Sequence, residues 1–285
     1  LSTLALNFTF QIGCRHEPKG YEGATHFLEH LLFKGTSKHN VDEISCEINR
    51  QGGFFNAVTS TDYMRLETRV IPDDFSDALK LMRELVTDSV IPHHEFERER
   101  GVILEEIAEY NDAPEEKCFD EWLCAVWENQ DLGRMVLGTE DSINRMERPQ
   151  LIDWYRKILH PSHCIVSVAG PVSSENREDL KTFFENWFQL EQPVSAAEKA
   201  DGVPGRIVFP KDLEQVHFCL GMEAPKRPDE RRFAFQLGEL ILSGGMGSRL
   251  FTEIREKRGL AYTIASSYYG MKKEGYFLVY GSTLS

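Results

Sequence analysis

Two histidines and a glutamate recur at helical spacing near the start of the chain. Residues 24–33 are mostly apolar and carry His26, Glu29 and His30. Residues four apart lie on the same face of an α-helix, so His26 and His30 can direct two imidazole nitrogens to one point. Catalytic zinc sites typically use two histidines and one glutamate and keep a fourth position for water. We therefore predict that this helix supplies two zinc ligands, His26 and His30.

Glu29 lies beside the histidines and has a different predicted role. A carboxylate next to a metal can accept a proton from the water that the metal acidifies, so we predict that Glu29 is the general base. The alternative is a buried amphipathic helix whose polar side chains have structural partners. That alternative leaves two imidazoles and a carboxylate beside an apolar face with nothing to pair them. A zinc site also requires a third ligand from elsewhere in the chain.

Composition limits the classes of protein and partner. A chain of 285 residues is long enough for two domains, each with its own core. Its 41% hydrophobic and 27% charged residues are ordinary for a globular protein. No stretch approaches the run of about 18 apolar residues that a membrane helix needs. The net charge of −14 opposes binding to phosphate backbones and anionic lipids, so we expect neither nucleic acid nor a membrane as a partner.

The cysteines and the first residues of the chain give information about the cellular compartment of the protein. The six cysteines show no C-x-x-C spacing, which argues against a zinc ribbon or a thioredoxin-type redox pair. We interpret them as small buried residues in a reducing compartment. The chain opens on a strand pattern with neither an initiator methionine nor a secretory signal, so we expect that the natural N-terminus is missing. These observations favour a cytoplasmic protein.

Apolar periodicity predicts the elements that must position the histidine helix. A polar loop at residues 17–20 leads into that helix, and a glycine ends it at residue 35. We predict strands at residues 4–13 and 164–169, a β-rich run at 54–70 that can form an exposed sheet edge, and helices at 24–33, 41–50, 72–86, 94–110, 113–127, 150–158 and 176–188.

The helix predicted at residues 94–110 carries the candidates for the third ligand. Glu99 and Glu106 are seven residues apart, close to two helical turns, so both carboxylates share one face. The alternative is a solvated acidic face, because charge runs usually face water. Spacing alone leaves the choice among these acids open. Further acids on this helix are Glu95, Glu97, Glu105 and Glu109, and its predicted inward residues are Phe96, Val102, Ile103 and Ile107.

A linker and an internal repeat divide the chain. Residues 191–205 have linker composition, so we predict a catalytic zinc-binding domain at residues 1–190 and a second domain from 206 to 285. Residues 216–221 repeat the strand pattern of residues 8–13, and residues 237–244 repeat the helix pattern of residues 28–35. The second half is therefore predicted to be a copy of the first, and an incomplete one because it ends at residue 285.

The copy is predicted to lack the chelate. In this alignment Phe235, Gly238 and Glu239 stand where the first half has its two histidines and the glutamate between them. One domain would then carry the chemistry, and the other would shape the site.

Three motifs resemble those of the pitrilysin/insulinase family of zinc peptidases, the inverted zincins, which include mitochondrial processing peptidases. They are His26-Phe-Leu-Glu-His30-Leu-Leu-Phe-Lys-Gly-Thr36, Gly53-Phe-Phe-Asn56-Ala57, and Glu99-Arg-Gly-Val-Ile-Leu-Glu-Glu106. The resemblance spans nearly the whole chain. It implies an α+β fold of tandem homologous α/β domains, each a mostly antiparallel sheet flanked by helices, that enclose a peptide-binding chamber. It also implies that Glu106 is the third zinc ligand and that Glu99 is a catalytic-site carboxylate behind the ligands.

The resemblance also implies substrate contacts. Asn56 and Ala57 would bind the substrate backbone from an edge strand, as in peptide addition to a sheet. Arg255 and Tyr262, seven residues apart, match a pair that reaches the substrate carbonyl in the family. Without the family, this segment is an ordinary helix end capped at Gly259.

Residues after the Asn56-Ala57 strand depart from the pattern that is common in relatives. Where relatives have threonine and paired tyrosines, this chain has Met64, Leu66 and Glu67, so a relative's side-chain preference cannot be transferred.

We therefore expect a zinc endopeptidase that hydrolyses peptides or short unfolded segments, with Zn²⁺ as its cofactor. Relatives whose chain has only one pair of domains tend to work as dimers, so the resemblance implies a homodimer or a heterodimer with a related subunit. One alternative is a peptidase dedicated to processing a propeptide or presequence. Another is a non-catalytic partner subunit, which predicts a broken motif, whereas all four catalytic positions are intact here.

Overall fold

The computed structural model describes residues 2–187 and 194–284. Its strands are β1 (Leu4–Phe10), β2 (Phe54–Thr59), β3 (Met64–Val70), β4 (Cys164–Ala169), β5 (Gln215–Glu223), β6 (Thr263–Gly270) and β7 (Gly275–Leu284). Its α-helices are α1 (Ala24–Leu32), α2 (Val41–Gln51), α3 (Phe75–Thr87), α4 (His93–Asp112), α5 (Pro114–Val126), α6 (Glu140–Arg145), α7 (Arg148–Ile158), α8 (Ser174–Glu185) and α9 (Arg232–Ser243). In this described part of the chain, no helix is both long and apolar enough to cross a bilayer.

Contacts divide the chain into two compact units. The first consists of Leu1–Ile107 and Arg134–Ala197, and the second of Ala108–Gly133 and Glu198–Ser285. The predicted boundaries of the two domains, with a linker at 191–205, stay a prediction. Positions 191–193 of that linker and residue 188 of the last predicted helix lie outside the described residues.

The sheet of the first unit is built around β1. Its strand order is β2-β3-β1-β4 and all neighbours are antiparallel. Alternate residues of β1, from Leu4 to Phe10, are fully buried, as the period of two in a strand requires. The β-rich run at 54–70 is a hairpin, because a turn in which the Ser60 amide donates to the Tyr63 carbonyl divides it. Of its two strands, only β2 lies at the edge of the sheet.

Packing between α1 and α4 sets the distance between the predicted ligand helices. Phe27 of α1 and Phe96 of α4 are both buried, and their rings stack with centroids 5.0 Å apart. Leu28 and Leu31 on α1 and Ile103 on α4 are fully buried in the same core. Burial of each such side chain contributes about 1.5–3 kcal/mol, so this contact holds the two helices firmly together.

Two predictions about burial are wrong. Val102 was expected to face inward on α4 but is 42% exposed. It directly precedes the buried Ile103, and adjacent residues on a helix point about 100° apart, which places Val102 outside the buried stripe formed by Phe96, Ile103 and Ile107. The cysteines are all free thiols, but only Cys14 is buried, and Cys46 on α2 is exposed.

The second unit has its own sheet and core. The strand order is β5-β7-β6, again antiparallel throughout. Helix α5 supplies Trp122, whose ring centroid lies 5.2 Å from that of Tyr276 on β7. Trp127, just after α5, and Leu278 on β7 are buried in the same cluster. The residues that follow α4 therefore contribute to the second core.

The predicted repeat is confirmed by the topology. In the first unit β1 pairs with β3 and β3 with β2, and in the second unit β5 pairs with β7 and β7 with β6. Helix α1 follows β1 as α9 follows β5. On α9, Phe235 packs against the rings of Tyr268 and Phe277, and Glu239 accepts the Tyr268 amide at 3.1 Å. The copy uses these positions for packing and backbone hydrogen bonds.

Candidate metal centre

Two imidazole rings lie one turn apart on α1. The rings of His26 and His30 have centroids 4.7 Å apart, as helical spacing predicts. His26 faces the core and is only 7% exposed, whereas His30 lies nearer the surface. The sequence therefore positions both rings by local helical geometry alone.

One carboxylate of α4 reaches both histidines. The Oε2 atom of Glu106 lies 3.7 Å from Nε2 of His26 and 3.6 Å from Nε2 of His30. Ligand atoms about 2.1 Å from a tetrahedral zinc ion lie about 3.4 Å from each other, so small side-chain movements suffice to bind one. Two imidazoles and a carboxylate are also the donor set that zinc uses in catalytic sites. These three residues therefore fit a zinc ion.

Glu99 lies on the far side of the His30 ring. Its Oε2 is 3.2 Å from Nδ1 of His30, and its Oε1 is 3.1 Å from Nζ of Lys34. Burial acts to raise the pKa of Glu99, but the hydrogen bonds and charges of Lys34 and His30 outweigh it and lower the pKa. An ionised Glu99 accepts a hydrogen bond from Nδ1–H of His30, which leaves the Nε2 lone pair directed towards Glu106.

His26 is neutral in the folded protein. Burial, reinforced by the charge of His30, lowers the pKa of His26 to about 3. A neutral imidazole is the form that binds a metal, so no proton has to leave this ring near neutral pH. Within the described residues, its buried Nδ1 has no hydrogen-bond partner.

Glu29 is held by a residue that sequence reasoning did not single out. The hydroxyl of Thr59, at the end of β2, donates to Oε2 of Glu29 at 2.5 Å. Burial raises the pKa of Glu29 despite the opposing hydrogen bond from Thr59 and the charge of His30. A raised pKa brings a carboxylate closer to the value that suits a general base at neutral pH.

The other acids of α4 divide between surface and core. Glu105, next to Glu106, is exposed, as are Glu97 and Glu109. Glu95 is buried and forms an ion pair with Arg98 at 2.6 Å. The solvated-face alternative therefore describes part of this helix, whereas Glu99 and Glu106 turn towards the histidines.

A cleft of about 300 Å³ lies beside the centre and reaches the edge strand. Asn56 is exposed there and Ala57 is almost buried. Strand β2 is an edge strand of the sheet, and among the described residues no strand pairs with its free edge. The cleft is lined by Glu29, His30, Phe33, Lys34, Ile48, Phe55, Asn56, Ala57 and Glu99.

Arg255 and Tyr262 lie together in the second unit. Arg255 belongs to a short π-helical turn, Phe251–Glu256, and its guanidinium carbon is 4.4 Å from the centroid of the Tyr262 ring. That distance is typical of a cation–π contact. Tyr262 is 73% exposed. Their predicted action on a substrate carbonyl stays a prediction.

Three residues near the centre were missed as functional candidates. Thr59 and Lys34 act through contacts between distant parts of the chain, and no local pattern predicts such contacts. Glu17, predicted to lie in a polar loop, is only 3% exposed. One signal was available for Glu17, because Gly23 at the start of α1 has no side chain to cap the helix.

The sequence matches two family models that together cover nearly the whole chain. The model described as Insulinase (Peptidase family M16) matches residues 2–140. The model described as Peptidase M16 inactive domain matches residues 145–285.

Similar proteins carry related descriptions. An uncharacterized zinc protease of Streptomyces coelicolor is 38% identical over 277 residues, which cover 94% of this chain and 60% of that protein. An uncharacterized zinc protease of Rickettsia bellii is 34% identical over 285 residues, which cover 99% of this chain and 69% of that protein. The chain thus spans 60% and 69% of the length of these two relatives.

Solved structures share the fold. A protease from Helicobacter pylori superimposes with a TM-score of 0.93 at 24% identity, covering 99% of this chain and 70% of that chain. A peptidase M16 inactive domain from Pseudomonas fluorescens superimposes with a TM-score of 0.91 at 23% identity, covering 100% of this chain and 70% of that chain.

Proposed function

Because this chain belongs to the insulinase family of peptidases, family M16, we propose that it is a zinc-dependent endopeptidase for peptides or short unfolded segments. The observation that supports the proposal best is the convergence of His26, His30 and Glu106 beside the carboxylate of Glu29. A zinc ion held by these three residues supplies Lewis-acid activation of water and of a substrate carbonyl. Relatives named as zinc proteases support the choice of metal.

Glu29 is the proposed acid–base residue. The hydroxyl of Thr59 binds Oε2 of Glu29, which orients Oε1 to take a proton from the attacking water. The same carboxyl group then gives that proton to the leaving amine when the peptide bond breaks. The raised pKa of Glu29 supports both steps, since the protonated form survives long enough to act as the acid.

The edge strand β2 is the proposed binding place of the substrate backbone. An extended peptide can pair with the outer edge of β2, with Asn56 binding its main chain and the small Ala57 allowing close approach. The net charge of −14 favours basic peptides over acidic ones. We further propose that Arg255 and Tyr262 stabilise the oxyanion in an enclosed chamber, and that the active form is a homodimer or a heterodimer.

The non-catalytic alternative is less well supported. A subunit without activity is expected to lose ligands or base, whereas His26, Glu29, His30 and Glu106 are all present. The description "inactive domain" applies to the matched residues 145–285, which include the helix without a chelate. A dedicated processing peptidase would use the same site, so the two roles differ only in the substrates that are cleaved.

Cleavage of a peptide library by the purified full-length protein tests the proposal. We expect hydrolysis that stops when a chelator removes zinc and returns when zinc is restored. Mass spectrometry of the products gives the cleavage positions and separates broad degradation from cutting at one site. Zinc-loaded, folded protein that cleaves no peptide in the library would contradict the proposal.

A further inference from the structure

A buried carboxylate outside the metal centre binds the first turn of the ligand helix. Glu17 is only 3% exposed, and its two oxygens accept separate backbone hydrogen bonds. Oε2 accepts the amide of Gly23 at 2.9 Å, and Oε1 accepts the amide of Thr25 at 2.7 Å. Thr25 directly precedes His26, so the contact is one residue from a candidate zinc ligand.

Helix α1 cannot provide this cap from its own N-cap position. The amides of a first helical turn lack partners within the helix, and a serine, threonine, aspartate or asparagine at the N-cap usually binds them. Here the N-cap is Gly23, with a φ of 90°. A Cβ atom at this position would lie 2.6 Å from the Leu137 carbonyl oxygen and 2.8 Å from Cδ1 of Ile143. Only glycine fits, so the cap has to come from another residue.

Glu17 and Thr25 are both held from further along the chain. The guanidinium of Arg134 donates to the backbone carbonyl of Glu17. On the other side, Nε1 of Trp154 donates to the hydroxyl of Thr25 at 3.0 Å. The start of α1 is therefore held at its backbone and at a side chain, which restricts rotation of the helix about its axis.

Glu17 is buried despite an electrostatic cost. Burial raises the pKa of Glu17, and the hydrogen bonds from Thr25 and Gly23 and the charge of Arg134 oppose that rise. A buried carboxyl group is expensive unless its partners compensate it. Its position at the positive end of the helix dipole adds to that compensation.

We propose that Glu17 is a positioning residue that fixes the rotation of α1 so that the imidazoles of His26 and His30 both face Glu106. The inference rests on the proposed function in one respect, since it takes the metal as zinc. The bonds of Glu17 determine where the first turn begins, and both histidines follow within two turns. Ligand positions must hold to about 0.5 Å for tight metal binding, so a small rotation weakens the site.

Glu17→Gln is the main test. The change keeps the size of the side chain but turns one acceptor into an NH₂ group that faces a backbone amide. We expect the full-length protein to fold and to bind zinc roughly tenfold or more weakly in competition with a chelator of known affinity. We also expect the visible absorption bands of bound Co²⁺ to shift, because those bands report the ligand geometry.

Glu84→Gln is the matched control. Glu84 is a second buried carboxylate in the same unit, and it accepts hydrogen bonds from Thr36 and from His39, the latter at 2.7 Å. We expect this variant to lower the melting temperature without changing zinc affinity or the Co²⁺ spectrum. Equal changes in both variants, or no change in Glu17→Gln, would overturn the proposal, because either result means that Glu17 acts only on stability.

A second variant decides the matter if Glu17→Gln does not fold. Glu17→Asp keeps a carboxyl group but withdraws it by one methylene group, so we expect a folded protein with weaker zinc binding and a shifted Co²⁺ spectrum. A Glu17→Asp protein with the zinc affinity and the Co²⁺ spectrum of the wild type would reject the positioning role of Glu17. If instead Glu17 variants weaken zinc binding while the wild-type protein cleaves no peptide, the proposed function fails and the positioning role stands.

Discussion

Glu99 lies 3.2 Å from Nδ1 of His30, on the side of the ring opposite the Nε2 atom that faces Glu106. This contact determines which imidazole nitrogen is available to a metal. Because the partners of Glu99 keep it ionised, it accepts a hydrogen bond from Nδ1–H of His30 and stabilises the tautomer with a free lone pair on Nε2.

Replacement of Glu99 tests that relationship. Glu99→Gln is expected to weaken zinc binding by about 10–100-fold, since it removes the negative charge that orients and polarises His30. Chelator competition measures the change. Glu95→Gln is the matched control, because Glu95 is a buried carboxylate one turn earlier on α4 and forms its ion pair with Arg98. Equal zinc affinity in the Glu99→Gln and wild-type proteins would show that Glu99 does not support the ligand.

The identity of the third ligand can be tested by neighbouring substitutions. Glu106→Gln should reduce zinc retention under a chelator, because one of the three protein ligands loses its charge. Glu105→Gln should have no effect, since Glu105 is exposed on a different side of α4. Metal analysis after dialysis against the chelator measures both. The reverse result would mean that the ligand assignment is wrong by one position.

A Glu29 variant should distinguish the role of the general base from that of the zinc ligands. Glu29→Gln is expected to keep about one zinc per chain while peptide hydrolysis falls by two or more orders of magnitude, about the effect of losing a general base. Metal content and the rate of peptide cleavage are measured on the same preparation. Glu109→Gln, a change at an exposed glutamate of α4, serves as the control. Undiminished hydrolysis by the zinc-loaded Glu29→Gln protein would remove Glu29 from the mechanism.

Acidification should destabilise the zinc-free protein through His26. The pKa of His26 is about 3 in the folded state and about 6.5 in the unfolded chain, so the unfolded state binds more protons between these values. The contribution of His26 to the free energy of unfolding should therefore fall as the pH drops below 6.5, by about 2 kcal/mol between pH 7.5 and pH 5.

Urea unfolding of the zinc-free protein across this range measures the effect of pH. His26→Gln should remove about this part of the pH dependence, whereas His93→Gln, at an exposed histidine, should not. The same pH dependence in wild-type and His26→Gln proteins would show that His26 is not held neutral by burial.

Tyr262 should affect turnover without affecting metal binding. If its hydroxyl donates to the developing oxyanion, Tyr262→Phe lowers kcat by about 10²–10³ and leaves KM and zinc content nearly unchanged. Steady-state kinetics on a peptide substrate measures the two constants separately. Tyr269→Phe on β6 is the control.

Mixed chains extend the Tyr262 test to the proposed dimer. Activity that returns on mixing Glu29→Gln and Tyr262→Phe chains would show that two chains share these residues. An unchanged kcat in Tyr262→Phe would reject Tyr262 as a donor.

Local periodicity was sufficient for most elements of the first half and for half of the centre, but it did not predict β6 and β7. The spacing of His26 and His30 predicts their proximity because helical geometry depends only on nearby residues. The repeated strand and helix pattern predicted a second copy of the first half, and the family resemblance implied tandem domains with antiparallel sheets; both expectations are confirmed. Val102 shows where this reasoning fails, because an apolar residue at the border of a helix face can lie on either side of it.

Tertiary packing decided the rest of the centre. Spacing left Glu99, Glu106 and their neighbours as equal candidates, and the stack of Phe27 on Phe96 sets which of them reach the histidines. Glu17 was assigned to a polar loop, yet the fold buries it against the first turn of α1. Such contacts join residues that are far apart in sequence or lie in irregular segments. They depend on how whole helices and strands pack against one another, and the hydrophobic periodicity of a sequence does not predict that packing.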